Sequence, residues 1–206
     1  MSESQRIRAG GYARVRAALG AVALLLIGSF TLGQMNRQFK PGRWVTTEGA
    51  IFDPFVPKEQ PLVLLFVLTD CPIANMFAPE LKRIIKHYGE KGVQFSVVYA
   101  DTNLNREDAK RHARDYGLDC TLVLDSIHSL AKRAGATVSP EAVVISKGGQ
   151  IIYRGRIDDR AVDFGKIRAE PKHFDLRVAL DLTLLRKPIK MSRTKAVGCI
   201  FRTEKS

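Results

Sequence analysis

Apolar and polar positions fall into blocks of different period along the chain. Pro61 to Leu68, P-L-V-L-L-F-V-L, is a continuous apolar run, which suits a strand buried on both faces. From Pro79 to Lys91 the apolar residues Leu81, Ile84, Ile85 and Tyr88 recur at helical spacing, and Gly92 stops them. Val93 to Ala100 predicts the next strand. Asn105 to Tyr116 predicts a polar helix, capped near Asn105 and ended by Gly117. Cys120 to Leu124 reads as a third strand, and Ser126 to Ala134 as a short helix before Gly135. Ala142 to Ile145 and Ile151 to Arg154 flank a hairpin turn at Lys147-Gly148-Gly149. Asp175 to Leu185 closes the series as a helix with Leu176, Ala179, Leu180 and Leu184 apolar. Strands alternating with helices predict an α/β fold with a central mixed sheet and helices on both faces. One core is expected from about Pro61 to Leu185.

The ends change the picture. Lys and Arg total 33 against 21 Asp and Glu, a formal charge of +12, and the excess crowds the two termini. Residues 1–16 are basic, and 17–33, A-A-L-G-A-V-A-L-L-L-I-G-S-F-T-L-G, carry no charge. An uncharged run behind arginines predicts a transmembrane anchor or a secretory signal segment, and the anchor reading is preferred. The positive-inside rule then puts the N-terminus in the cytoplasm and the rest outside it; cleavage of the segment would instead leave a secreted or periplasmic protein. Residues 34–60 are polar and rich in Pro and Gly, a linker with room for a short hairpin through Trp44-Val45 and Ala50-Ile51-Phe52. The folded domain is expected over 61–187, followed by a basic tail, 188–206, that holds Cys199. Basic ends around an apolar segment suit an anionic membrane surface. No nucleic-acid recognition motif accompanies the charge, so nucleic acid is not an expected partner.

The chemistry centres on F-V-L-T-D-C-P-I-A-N-M-F-A-P-E-L, Phe66 to Leu81. Cys71 follows a buried strand and opens a helix, where free N–H groups and the helix dipole favour a thiolate. Thr69 is placed to donate a hydrogen bond to the sulfur, and Asp70 opposes the anion if its carboxylate points there. Pro72 suits the first helical turn.

The order strand, C-P, helix with A-P-E-L, strand, helix, strand, helix, V-S-P, hairpin, helix resembles a thioredoxin-like three-layer α/β/α sandwich. C-P-I-A-N, with a distant G-C-I, is similar to the redoxin branch, which contains alkyl hydroperoxide reductase/thiol-specific antioxidant-like proteins, some with C-P-x-x-N. On that resemblance Cys71 matches the first cysteine of the family's C-x-x-C pair. Asn75 completes the C-P-x-x-N, and Ser139-Pro140 matches the X-Pro that turns cis and faces the cysteine. Ala74 stands where the second cysteine would be, so a standard dithiol reductase is excluded. The missing thiol is supplied by another cysteine of the chain or by an external thiol reductant, or the site has lost its redox chemistry. Cys199, in the apolar island A-V-G-C-I, is the internal candidate, and a frayed tail with an incidental thiol is the rival reading. Cys120 is expected to be buried and inert.

The resemblance implies thiol–disulfide exchange with a protein substrate, or thiol-dependent reduction of a peroxide. Peroxide reduction is weakened because Thr69 lies two residues before Cys71 rather than three and the family's proline is missing; Arg154 or Arg156 is the candidate supporting arginine. The alternative is a non-enzymatic binding module in which Cys71–Cys199 is a structural disulfide. Such a module would take a partner protein, or copper on Cys71, Met76 and His128; the histidines show no metal-ligand spacing. No cofactor and no metal site is assigned. The dense polar stretch after the last strand, Arg156 to Lys166, is expected to be a solvated loop or an internally paired rim of the site.

Overall fold

The computed structural model describes residues 44–201. The predicted anchor, 17–33, lies outside them, and no helix among the described residues is long and apolar enough to cross a membrane. A short hairpin, β1 (Trp44–Val45) and β2 (Ile51–Phe52), comes first, as the sequence predicts. The main sheet uses β3 (Leu62–Val67), β4 (Gln94–Tyr99), β5 (Thr121–Leu124), β7 (Glu141–Ile145) and β8 (Ile151–Gly155), in the order β5-β4-β3-β7-β8. β4 runs parallel to β3 and β5, whereas β7 runs antiparallel to β3 and β8. The central strand β3 is buried throughout. Its side chains alternate: Val63, Leu65 and Val67 enter one apolar cluster, and Leu62, Leu64 and Phe66 the other.

Helices α1 (Pro72–Gly89), α2 (Arg106–Tyr116) and α4 (Asp175–Leu184) feed the first cluster, and α3 (Ser129–Ala134) feeds the second. Together these make the thioredoxin-like α/β arrangement with a central mixed sheet. Helix α1 starts seven residues before the Pro79 where the apolar spacing places it, and Pro79 sits inside it. Ile73, Ala74, Phe77 and Ala78 continue the same buried stripe as Leu81, Ile84 and Ile85; Pro79, a residue that ordinarily bounds a helix, hides the continuity in the sequence. The second cluster also contains Trp44 and Phe55, from the segment read as a linker, and Phe201 of the tail. The core therefore reaches past 61–187 at both ends.

Two further strand pairings complete the described chain. β6 (Val138–Ser139) pairs with β11 (Cys199–Ile200), and β9 (Ala161–Asp163) with β10 (Lys166–Ile167). The polar stretch is paired internally: Asp158 binds Arg160 at 2.6 Å and Asp159 binds Arg168 at 2.8 Å, both carboxylates being buried. Arg160 also lies over the Phe77 ring of α1 at 5.0 Å.

Helix α1 is tied to α4 by a buried carboxylate. Glu80 accepts from Arg177 at 2.7 Å and from Arg83 at 2.9 Å. Burial alone would raise its pKa, but the two guanidiniums outweigh burial and hold it below the ordinary carboxylate value. Glu80→Gln is expected to cost about 2 kcal/mol, because it leaves half-buried Arg177 without its anion. The folded pKa is depressed, so this contribution is full above the ordinary carboxylate value and is lost as pH falls through the folded one. Urea midpoints of wild type and variant, compared across the acid range, check both the size and the sign.

Candidate functional site

Cys71 is the N-cap of α1. Its backbone is extended, Pro72 occupies the first helical turn, and Sγ accepts from the Ala74 N–H at 3.4 Å. The side chain is 0% exposed. Its thiol donates to the Ser139 carbonyl at 3.1 Å. Ser139 belongs to the loop whose Ser139-Pro140 bond is cis, so this pair faces Cys71 as the resemblance implies. The Ser139 hydroxyl accepts from the Leu68 N–H at 2.8 Å, which locks this loop to the end of β3. Ser139→Ala leaves the half-buried Leu68 N–H without its acceptor and is expected to cost about 1 kcal/mol, measured as a lower denaturant midpoint.

As far as Phe201, the last described residue, the tail does not fray. Thr194 N–H donates to Arg154 O at 3.1 Å and Arg154 N–H donates to Ser192 O at 2.9 Å, so the tail runs along the outer edge of β8. Farther on, β11 pairs antiparallel with β6, with Cys199 opposite Ser139 and Ile200 opposite Val138. Phe201 is the anchor, packed against Phe66 and stacked on the His128 ring at 5.9 Å. Gly198 lies against the Ser139 carbonyl so closely that a Cβ there would collide with it. This path sets Cys199 beside Cys71, opposite the residue whose carbonyl takes the Cys71 thiol. Burial, then the hydrogen bond and charge of Cys71, then Asp70, push the Cys199 thiol up to about 12. All three cysteines are free thiols. Cys120 stands just before β5, away from this pair, and is half-buried rather than buried as expected; burial pushes its thiol up to about 12.

The supporting residues take roles the sequence does not reveal. Thr69 does not donate to Cys71; its N–H and hydroxyl both donate to Asp101, at 3.2 and 3.2 Å. Burial, only partly offset by Thr69, raises the Asp101 pKa. Asp70 is exposed and acts on Cys199. Asn75 donates to the Thr69 carbonyl at 3.1 Å and faces His112 Nε2 at 3.1 Å. His112 Nδ1 faces the Tyr99 hydroxyl at 3.0 Å. The chain of bonds assigns the proton to Nε2, and burial lowers the His112 pKa, favouring the neutral ring this relay needs. Arg154 binds Gly135 O and Glu141, and Arg156 binds Asp175 at 2.7 Å, so both candidate arginines are engaged away from Cys71. His128 Nε2 is committed to Ala100 O at 2.6 Å. Among the described residues no cluster of three or more His, Cys, Asp or Glu could hold a metal ion.

Asp101, His112, Gly198 and Phe201 are the site residues that sequence reasoning misses. Asp101 had a signal, since it follows the carboxyl end of a parallel strand, where sites collect. Phe201 had one in its place beside G-C-I. His112 had none.

A thioredoxin-like domain with one thiol at the N-cap of its first long helix and a second brought in by the tail is the class that fold and site define. The chain belongs to the redoxin family, whose model matches residues 49–169. Among solved structures it is similar to an uncharacterized conserved protein from Geobacillus kaustophilus, with 22% identity, TM-score 0.71, and 82% of this chain and 92% of that one covered. It is also similar to a hypothetical protein from Sinorhizobium meliloti 1021, with 19% identity, TM-score 0.65, and 81% and 92% covered. A third is a putative thioredoxin from Neisseria meningitidis, with 20% identity, TM-score 0.54, and 71% and 88% covered. At these identities the likeness is one of fold. Comparison with curated proteins found no match.

Proposed function

We propose that the chain is a redoxin that carries out thiol–disulfide exchange with protein substrates through a Cys71–Cys199 pair, held at a membrane with its domain outside the cytoplasm. One observation carries the reading: the tail strand sets Cys199 opposite Ser139, whose carbonyl accepts from the Cys71 thiol. The tail thus supplies the thiol that Ala74 cannot. An extracytoplasmic setting is supported by the uncharged segment 17–33 behind arginines and suits a working disulfide. Peroxide reduction has less support, since Thr69 and both arginines are turned to other partners. A permanently structural disulfide is disfavoured by the half-exposed Cys199, which leaves the pair open to reductant.

The test equilibrates the detergent-solubilised full chain in dithiothreitol redox buffers, then quenches with acid, alkylates and maps peptides. A Cys71–Cys199 disulfide with a midpoint inside the buffer range supports exchange. A Cys71 thiol that stays reduced under the most oxidising buffer overturns it, and a disulfide that persists in the most reducing one returns the structural reading.

A further inference from the structure

The pair is asymmetric in a way that the resemblance does not anticipate. Cys71 is 0% exposed, covered by the Ser139 carbonyl on one side and the tail on another. Cys199 is only half-buried and lines a cavity of about 710 Å³ that also touches Thr69, Asp70, Asp101, Phe164 and Ile200. Cys71 does not line that cavity. Phe164 comes from the turn between β9 and β10, so the polar stretch after β8 forms part of this entrance.

We infer that Cys199, not Cys71, is the sulfur that exchanges with substrate, and that Cys71 is the inner partner that opens and closes the bond. This rests on the proposed Cys71–Cys199 exchange and assigns the two sulfurs their roles within it. In the oxidising direction a substrate thiolate enters the cavity and attacks Cys199 Sγ. A bond forms between substrate sulfur and Cys199, the Cys199–Cys71 bond breaks, and the electron pair leaves on Cys71. The Ala74 N–H and the helix N-terminus receive that charge. Cys71 then takes up a proton and directs it to the Ser139 carbonyl. A second substrate thiolate attacks the substrate sulfur, forming the product disulfide and releasing Cys199 as a thiolate that protonates. Two electrons pass from two substrate thiols to the pair. In the reducing direction the same steps run backwards: Cys199 attacks the substrate disulfide, and Cys71 resolves the mixed disulfide by attacking Cys199. In either direction Cys71 never needs to meet the substrate.

The test uses the full chain in detergent with Cys120→Ser as background and the neutral probe 2-hydroxyethyl disulfide, read by peptide mass mapping over time. With Cys71→Ser added, Cys199 is expected to take up the hydroxyethylthio group. With Cys199→Ser added instead, Cys71 is expected to react at least about tenfold more slowly. Equal rates, or a faster Cys71, overturn the inference. A second arm needs no substitution: oxidised wild type is pulsed with 2-mercaptoethanol and quenched in acid. An adduct on Cys199 with Cys71 as free thiol supports the assignment, and an adduct on Cys71 overturns it. The map taken before the pulse separates the two failures. Without a Cys71–Cys199 disulfide the proposed function itself fails; with the disulfide present and the adduct on Cys71, only the assignment fails.

Discussion

Cys71→Ser is expected to leave a folded domain whose multiple-turnover exchange with a disulfide-bonded peptide falls by at least about two orders of magnitude. The serine hydroxyl can keep both contacts of the sulfur, donating to the Ser139 carbonyl and accepting from the Ala74 N–H. The helix cap therefore survives, and these two hydrogen bonds offset the cost of burying a hydroxyl. The hydroxyl cannot form or release an S–S bond, so Cys199 takes one substrate sulfur and stalls. Circular dichroism should match wild type while peptide turnover disappears. Cys120→Ser, away from the pair, should change turnover less than about twofold. Turnover that survives Cys71→Ser would move the chemistry off this pair and end the reading.

The sheet and most helices are legible in the sequence because their signals are local. β3 is apolar on both faces, so its run has no gaps; α2 announces both ends with Asn105 and Gly117. Cys71 and Ser139-Pro140 are legible through the C-P turn and the V-S-P resemblance. The missing parts depend on contacts far apart in sequence. Thr69 has Cys71 two residues away but bonds Asp101 instead, because the end of β4 lies beside the end of β3. His112 is a half-buried histidine on a polar helix, and nothing local says that it braces the loop through Asn75. The tail reads as basic and loose, yet ten residues of it are ordered by edge pairing with β8 and β6 and by Phe201. Sequence made Cys199 eligible; only the fold shows that its sulfur is the accessible one.

Gly198→Ala is expected to undo the pair without touching either cysteine. The added methyl group would overlap the Ser139 carbonyl, and that carbonyl has little freedom to move. The Ser139 hydroxyl holds it to Leu68, and the Cys71 thiol binds it from the other side. The tail must therefore shift, and β11 spans only two residues, too few to hold against the clash. With the strand displaced, Cys199 becomes a thiol on a flexible tether. Its effective concentration at Cys71 drops toward the millimolar range typical of such tethers, and the Cys71–Cys199 disulfide is expected to weaken by about 100-fold or more. That corresponds to a midpoint less reducing by about 60 mV. Cys71 should meanwhile become open to alkylation as the tail leaves it. Docking also carries a pH signature in wild type. The docked Cys199 thiol is raised to about 12 from an ordinary 9.0, so the docked state is favoured in full below that ordinary value and loses ground as pH rises toward the raised one. In Gly198→Ala, Cys199 alkylation should instead rise with pH around the ordinary thiol value. Met191→Ala is the control, since that side chain is 61% exposed and precedes the strand that carries Cys199; its midpoint should stay close to wild type. A Gly198→Ala midpoint that also stays there would mean that the tail bends around the methyl group, and that the close approach at Gly198 does not set the position of Cys199.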